Sequence, residues 1–271
     1  MDTTEDFSPY RSDGKLYGFV CVVTGASAPV GQAIIEELAA HGAASIYACD
    51  KTADADLFSS LSSTLSTTYP NTKLIPYPFD ITSEDATLLL IDEALAAFGR
   101  LDIWVCSASL LGPATIHDTT PDTLTQLIQA HSLAPFFALK WAPAAMGKLT
   151  TKKGSYPNAV EKRQRYGSII VVGGGEGGGP GFVMAEYAAL GVVKAGVGCL
   201  RGTGVRINFV KMGVLEGEDT KTPNGLERVG RPQEVARVAG FLASGFSSYV
   251  NGATLVVDGG ASVMNPLITP I

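Results

Sequence analysis

The chain has little of what metal sites, disulfide frameworks, membranes and nucleic acids require. It holds three histidines and four widely spaced cysteines, a pattern that predicts buried free thiols, no disulfide and no metal site. No apolar run is long enough to cross a membrane, and the first six residues lack the basic start of a targeting peptide. We therefore expect a cytoplasmic protein without a membrane partner. The formal net charge of −6 argues against nucleic acid as a partner.

Apolar residues make up 46% of the 271-residue chain, enough to bury a large core in one domain. Strand-like and helix-like patterns alternate, which predicts an α/β fold with a Rossmann-like, doubly wound parallel sheet. Seven segments have the strand pattern, namely 19–23, 45–50, 73–79, 101–106, 168–172, 206–210 and 254–258. Prolines in 73–79 predict an edge strand. We expect a single domain over residues 1–271, with a short N-terminal extension at 1–14.

Two segments interrupt this alternation. The first, at about 148–166, is rich in basic residues, namely Lys148, Lys152, Lys153, Lys162, Arg163 and Arg165. It is typical of a solvated surface insertion, and a basic patch that steers substrate is the sharper alternative. The second segment, 173–181, is almost entirely glycine. Such a loop is either mobile or pressed close against a ligand.

A glycine-bearing turn follows the first strand, in the sequence Thr24-Gly25-Ala26-Ser27-Ala28-Pro29-Val30-Gly31. A turn of this kind between a buried strand and a helix lets backbone N–H groups face a pyrophosphate, which indicates a dinucleotide cofactor. Asp50 ends the second strand about twenty residues later, where its carboxylate can accept hydrogen bonds from ribose hydroxyls and repel a 2′-phosphate. Asp50 therefore favours NAD over NADP, although a plain turn or helix-capping role would place the same residue there.

Further motifs extend the pattern over nearly the whole chain. Phe79-Asp80-Ile81, the segment Cys106-Ser107-Ala108-Ser109 and the pair Met212-Gly213 each follow a predicted strand. With Gly230-Arg231-Pro232 and Val257-Asp258-Gly259-Gly260, the chain resembles the short-chain dehydrogenase/reductase family. The resemblance implies a nicotinamide cofactor, a small-molecule substrate and a homo-oligomer, either a dimer or a tetramer. It also implies a set of cofactor contacts, namely Gly25, Ser27, Val30, Gly31, Asp50, Asp80, Ile81, Ser107, Ala108 and Gly213.

The family's catalytic residues are an asparagine, a serine, a tyrosine and a lysine, of which the lysine lowers the pKa of the tyrosine from one helical turn away. Counted without gaps from Gly167, the serine position is Gly174, the tyrosine position is Tyr187 and the lysine position is Gly191. The asparagine position falls at His131. A second register aligns Lys194 with the family's lysine, but it puts Leu190 at the tyrosine position. Neither register keeps the tyrosine and the lysine together.

Three residues remain as catalytic candidates. Tyr187 stands at the family's position for the proton donor, whereas Lys194 lies seven residues on, roughly 10 Å further along a helix. His131 is as readily a structural hydrogen-bonding residue as a catalyst. Glu176 and Glu186, which flank the glycine-rich segment, are weaker candidates for a general base. The helix that carries Tyr187 is expected to be short, because Gly202 follows soon after.

Three functions are compatible with these residues. The first is an enzyme with non-standard chemistry, such as an isomerase, dehydratase or cyclase, that acts on a small, largely apolar metabolite. Natural-product pathways include pericyclic cyclases that arose from reductases of this family. The second is a ketoreductase or alcohol dehydrogenase whose proton relay has been rebuilt from Tyr187, His131 and Lys194. The third is a non-catalytic protein that kept the dinucleotide pocket. The altered catalytic positions favour the first or third function, and the intact adenosine end favours the second.

Overall fold

A computed structural model describes residues 11, 13–53, 56–107, 110–150, 161–174, 179–216 and 224–264. Seven parallel strands form one sheet in the order β3-β2-β1-β4-β5-β6-β7. The strands are β1 (Val20–Thr24), β2 (Ser45–Asp50), β3 (Lys73–Pro78), β4 (Ile103–Cys106), β5 (Gly167–Gly174), β6 (Val205–Met212) and β7 (Thr254–Val257). Strand order reverses beside β1, so the sheet is doubly wound and its ligand crevice is expected at the carboxyl ends of β1 and β4. The predicted fold class is confirmed.

Helices cover both faces of the sheet. They are α1 (Pro29–Ala40), α2 (Ser59–Thr68), α3 (Glu84–Phe98), α4 (Pro121–Ile128), α5 (Ala134–Met146), α6 (Gly179–Cys199), α7 (Pro232–Ala243) and α8 (Ala261–Met264). One core packs α1, α2 and α7 against the sheet, and the other packs α3, α5 and α6 against the opposite face. A π-helical turn, Gln129–Leu133, joins α4 to α5 where the sequence predicts one long helix.

The position of each strand in the sheet follows from the residues it contains. Every residue of β1 is buried, as its uninterrupted apolar sequence predicts for a central strand. At the edge of the sheet, β3 contains Pro76 and Pro78, which have no N–H to donate to a further strand. The predicted edge strand is therefore confirmed. Of the four free cysteines, Cys21, Cys49 and Cys106 are buried as expected, whereas Cys199 is exposed.

A buried ion cluster lies at the amino-terminal edge of the sheet. The Asp102 carboxylate accepts hydrogen bonds from Arg100 Nε at 2.8 Å and from Lys162 Nζ at 2.8 Å. The ammonium of Lys162 also donates to the carbonyl oxygens of Leu101 at 2.9 Å and Tyr166 at 2.8 Å, so all three of its protons are used. Both charged side chains that contact Asp102 are fully buried.

This cluster corrects one expectation about the basic segment at 148–166. Lys162 is not solvated, since only 1% of it is exposed, and it anchors the end of the segment to the core. An antiparallel bridge between Thr150 and Lys162 closes the segment at both ends. Lys148, Arg163 and Arg165 are exposed as expected, and Lys152 and Lys153 lie outside the described residues.

Helix α6 is longer than the sequence suggests. It has 21 residues and begins at Gly179, eight residues before Tyr187. Within the described part of the chain it is the one helix long and apolar enough to cross a membrane, although core helices of other proteins meet the same criterion. Part of its apolar surface is exposed, including Val183 and Met184. The starting point of α6 decides which of its side chains face the sheet.

Replacement of Lys162 by methionine tests the ion cluster. We expect Lys162→Met to lower the free energy of unfolding by about 3–5 kcal/mol, because the variant leaves the buried Asp102 with one cation instead of two. Chemical denaturation measures the loss. The matched control Arg163→Met removes an exposed cation and should change stability by no more than about 0.5 kcal/mol. Equal stabilities of the two variants would contradict the structural role of Lys162.

Candidate active site

The glycine turn brings the start of α1 against the end of β1. Gly25 has φ of +66°, which favours glycine, and a Cβ on Gly31 would overlap the carbonyl oxygen of Gly25. Pro29 occupies the first helical position and has no N–H to offer. The N–H groups of Val30 and Gly31 are therefore the donors that this helix end presents to an anion.

Asp50 ties the end of β2 to the same turn. Its Oδ2 accepts hydrogen bonds from Ser27 Oγ at 2.5 Å and from Ser27 N at 3.2 Å. Its Oδ1 accepts from the backbone N–H of Lys51 at 2.8 Å. The carboxylate is half-buried beside the turn, and each of its oxygens retains lone-pair capacity for a ribose hydroxyl. Asp50 therefore stabilises the turn and still has acceptor capacity for the ribose hydroxyls of a cofactor.

The remaining predicted contacts to the adenosine follow β3 and β4. The Asp80 carboxylate accepts from the hydroxyl of Thr82 at 2.6 Å and from its N–H at 2.9 Å, and these bonds lower the pKa of Asp80. Asp80 is exposed and Ile81 is half-buried. Ser107 is buried, and its N–H donates to Thr24 O at 3.2 Å. Ala108 lies outside the described residues.

Close pairing of β5 and β6 leaves no room for a serine side chain at Gly174. β5 pairs with β6 as far as Gly174 beside Met212. A Cβ on Gly174 would overlap the carbonyl oxygen of Met212 and lie 2.8 Å from its nitrogen, and Gly174 has φ of +97°. Methionine in place of the family's proline keeps an N–H and the strand geometry up to Gly213. Gly213 in turn packs against Asp258, where a Cβ would lie 2.6 Å from that side chain.

The structure does not bring Tyr187 and Lys194 together. Tyr187 is 65% exposed on α6. Lys194 Nζ donates to Gly252 O at 2.6 Å. Because Gly252 lies two residues before β7, this bond is at the amino-terminal edge of the sheet, opposite the glycine turn. Gly191, between them, faces open space, since a Cβ there would contact nothing within 4 Å.

His131 faces the interior from the π-helical turn. It is buried, its Nε2 lies 2.7 Å from Leu110 O, and its ring meets that of Phe182 edge-on at 5.0 Å. The carbonyl acceptor places the proton on Nε2 and leaves Nδ1 as an acceptor. Burial lowers the pKa of His131, so the ring is neutral at neutral pH. Next to it, Ser132 Oγ donates to Ala185 O at 2.9 Å and fixes this turn to α6.

Two charged residues lie between α6 and the sheet. From the sequence, Glu186 is only a weak candidate for a general base, and Lys211 is not a candidate at all. Glu186 is buried on the sheet side of α6, and Lys211 is half-buried near the end of β6. A visible signal existed for each. Glu186 interrupts the apolar stripe of α6 that runs through Phe182, Ala189 and Val193, and Lys211 follows the apolar pair Phe209 and Val210 near the end of β6.

Comparisons with known proteins identify the family. A family model described as enoyl-(acyl carrier protein) reductase matches residues 25–262. (+)-Borneol dehydrogenase 1 of Salvia officinalis is 30% identical over 270 residues, covering 93% of this chain and 96% of that protein. L-rhamnose-1-dehydrogenase of Scheffersomyces stipitis is also 30% identical, covering 92% and 98% of the two chains. The chain belongs to the short-chain dehydrogenase/reductase family. The predicted resemblance is confirmed.

A solved structure agrees with the fold. A short-chain type dehydrogenase/reductase from Mycobacterium marinum superimposes with a TM-score of 0.78 at 22% identity, covering 92% of this chain and 97% of that one. The sequence relatives are named as dehydrogenases and reductases, so this short-chain dehydrogenase/reductase chain derives from oxidoreductase enzymes.

Restoring the serine tests whether the backbone excludes it. We expect Gly174→Ser to lower the free energy of unfolding by about 1–3 kcal/mol, since φ of +97° disfavours a side chain and Met212 blocks it. The matched control Gly191→Ala, on the open side of α6, should instead stabilise the protein by about 0.5–1 kcal/mol. Thermal and chemical denaturation measure both. A Gly174→Ser variant as stable as the unmodified protein would contradict the close pairing of β5 and β6.

Proposed function

We propose that the chain is an oxidoreductase that interconverts a small, largely apolar alcohol and its ketone with NAD(H). The observation that carries this proposal is the arrangement of the glycine turn, where Gly31 closes against Gly25 and Asp50 is fixed beside Ser27. A protein that no longer used a dinucleotide would have no need for this close backbone approach. The full-length relatives named as dehydrogenases support the same function.

The described residues fit a dinucleotide. The free N–H groups of Val30 and Gly31 suit the pyrophosphate, and the Asp50 carboxylate suits unmodified ribose hydroxyls. Asp80 and Ile81 would flank the adenine, and Ser107 and Gly213 would lie toward the nicotinamide. When bound, the nicotinamide ring accepts or supplies a hydride. The chain's own residues then have to bind the substrate and move one proton.

An apolar substrate is supported by the segment that follows β4. Leu110, Leu111 and Ile116 are exposed there, on the way to α4. His131 holds this segment through the carbonyl of Leu110. Exposed apolar side chains at the carboxyl edge of the sheet suit a hydrocarbon-like ligand. Among the relatives, the name borneol dehydrogenase specifies a small apolar alcohol, which makes borneol the first compound to assay.

We further propose a homo-oligomer, a dimer or a tetramer. Val183, Met184 and Tyr187 on α6 are exposed, as are Ile128 on α4 and Phe136 on α5. Helices α4 and α6 contact each other, so these side chains belong to neighbouring surfaces. A second copy of the chain would cover them, which also accounts for the large apolar content of α6 without a membrane.

A second function is favoured by a different observation. Tyr187, Lys194 and the serine position do not converge, so the family's usual proton relay is not assembled. A non-redox enzyme, such as an isomerase, dehydratase or cyclase, needs no such relay. A third function, dinucleotide binding without catalysis, needs none either. Turnover separates all three.

The decisive assay follows the reduced-nicotinamide absorbance band with borneol and related small apolar alcohols as substrates. We expect one NADH formed per alcohol oxidised, since the hydride leaves the substrate carbon for the cofactor. Product without any change in absorbance would show non-redox chemistry and contradict the proposal. Cofactor binding with no product from any alcohol or ketone in the series would favour the binding protein and equally contradict it.

Cofactor choice is tested at Asp50. We expect Asp50→Ala to weaken NADH binding at least about tenfold, because the ribose hydroxyls lose an acceptor, and to improve NADPH binding, because the 2′-phosphate is no longer repelled. Fluorescence titration with each cofactor measures both constants. The control Asp92→Asn, an exposed carboxylate on α3, should leave both unchanged. Tighter binding of NADPH than NADH by the unmodified protein would contradict the preference for NAD.

A further inference from the structure

Glu186 is a buried carboxyl group, and one of its oxygens has no hydrogen-bond partner among the described residues. Only 8% of the residue is exposed, and its Oε1 is fully buried with no hydrogen-bond partner among the described residues. Its helical neighbours on the same side of α6 are apolar, including Phe182, Ala189 and Val193. A buried carboxyl group without a hydrogen bond lowers stability, so packing does not explain its presence.

The position of Glu186 is at the carboxyl edge of the sheet. Gly173 on β5 lies close to it, since a Cβ on Gly173 would be 3.7 Å from Glu186 Cγ and 2.8 Å from the ring of Phe209. Gly173 pairs with Lys211, so a side chain at either position points to the same face of the sheet. A side chain on Gly173 would therefore collide with the Phe209 ring, which packs beside Glu186 on the face of the sheet that also carries Lys211.

One charged group acts on Glu186 from an element packed against α6. Lys211, on β6, attracts the carboxylate without forming an ion pair in the described structure, and this attraction lowers the pKa of Glu186. Burial acts in the opposite direction and is the larger influence, so the pKa of Glu186 is raised overall. His131, on the π-helical turn, is neutral and contributes no charge. A buried carboxyl group with a raised pKa and a nearby cation is typical of residues that transfer protons.

We propose that Glu186 is the catalytic acid/base of this chain and that Lys211 is the positioning cation that sets its charge, in place of the family's tyrosine and lysine. The inference rests on the proposed function. An alcohol that becomes a ketone loses one hydride and one proton. The hydride, with its two electrons, goes to the oxidised nicotinamide cofactor. The hydroxyl proton goes to the Glu186 carboxylate, which releases it to solvent.

The first test replaces Glu186 by glutamine, which has the same shape and no transferable proton. We expect Glu186→Gln to reduce kcat for alcohol oxidation by about 10²–10⁴-fold while NADH binding stays within about twofold. The control Glu36→Gln, on the outer part of α1, should leave both unchanged. Tyr187→Phe serves as the competing variant. A loss of kcat with Tyr187→Phe and none with Glu186→Gln would overturn the inference and leave the proposed function intact.

The second test uses Lys211. Oxidation requires the carboxylate form of Glu186, and removal of a nearby cation raises its pKa. We therefore expect Lys211→Met to shift the acid limb of the kcat/KM profile to higher pH, whereas a merely structural lysine would lower activity at every pH without a shift. An unshifted profile would overturn the role of Lys211. If the unmodified protein forms no NADH from any alcohol, the proposed function fails first, and the inference falls with it.

A third readout needs no activity. Because folding raises the pKa of Glu186 above its ordinary value of 4.5, the carboxylate destabilises the folded state as the pH rises above 4.5. We expect Glu186→Gln to be more stable than the unmodified protein at pH 8, with the difference disappearing at or below pH 4. Chemical denaturation at the two pH values measures it. A variant that is less stable at pH 8 would show that Glu186 has a stabilising partner, and would overturn the inference.

Discussion

The pairing of β5 with β6 through Gly173 and Gly174 is the constraint on which the reaction centre depends. Carried as far as Met212, it brings two backbones into contact where the family's serine side chain would stand. The same pairing places Lys211 opposite a residue without a side chain. Phe209 packs beside Gly173, and Glu186 and Lys211 are the charged groups on the same face of the sheet. The backbone at Gly174 and the surroundings of Glu186 therefore both depend on this one pairing.

The ligand crevice therefore has two halves whose residues are arranged differently. At the adenosine half, Gly31 closes against Gly25, and Ser27 fixes the Asp50 carboxylate. Both features are typical of a dinucleotide site. At the other half, Tyr187 is exposed and Lys194 donates a hydrogen bond to Gly252 at the far edge of the sheet. Under the proposed function, the adenosine half binds the cofactor and the other half carries the proton transfer.

Much of the fold was predictable from the sequence for a simple reason. Buried parallel strands are short apolar runs, and glycines and Asp50 mark where the first two strands end. Lys162 was not predictable, because a cluster of basic residues indicates solvent, and its partner Asp102 lies 60 residues away in the sequence. A pairing at that separation exists only once β4 and the end of the basic segment meet.

The site was harder to predict because it depends on helical phase. Counting residues places Tyr187 at the proton-donor position, but adjacent residues on a helix differ in direction by about 100°. The start of α6 at Gly179 turns Glu186 toward the sheet and Tyr187 away from it. Neither register fixes the direction of these two side chains, because the glycine-rich segment before α6 has few side chains to align. The apolar stripe of α6 does indicate which side chains face the sheet, because Glu186 is the charged residue that interrupts this stripe.

An experimental structure of the chain with NADH and a ketone substrate or analogue tests the central claim most directly. The account predicts that the carbonyl oxygen lies within hydrogen-bond reach of the Glu186 carboxyl group, with Lys211 beyond it and Tyr187 outside the crevice. A structure in which the Tyr187 hydroxyl contacts the carbonyl oxygen, with Glu186 facing away, would contradict it.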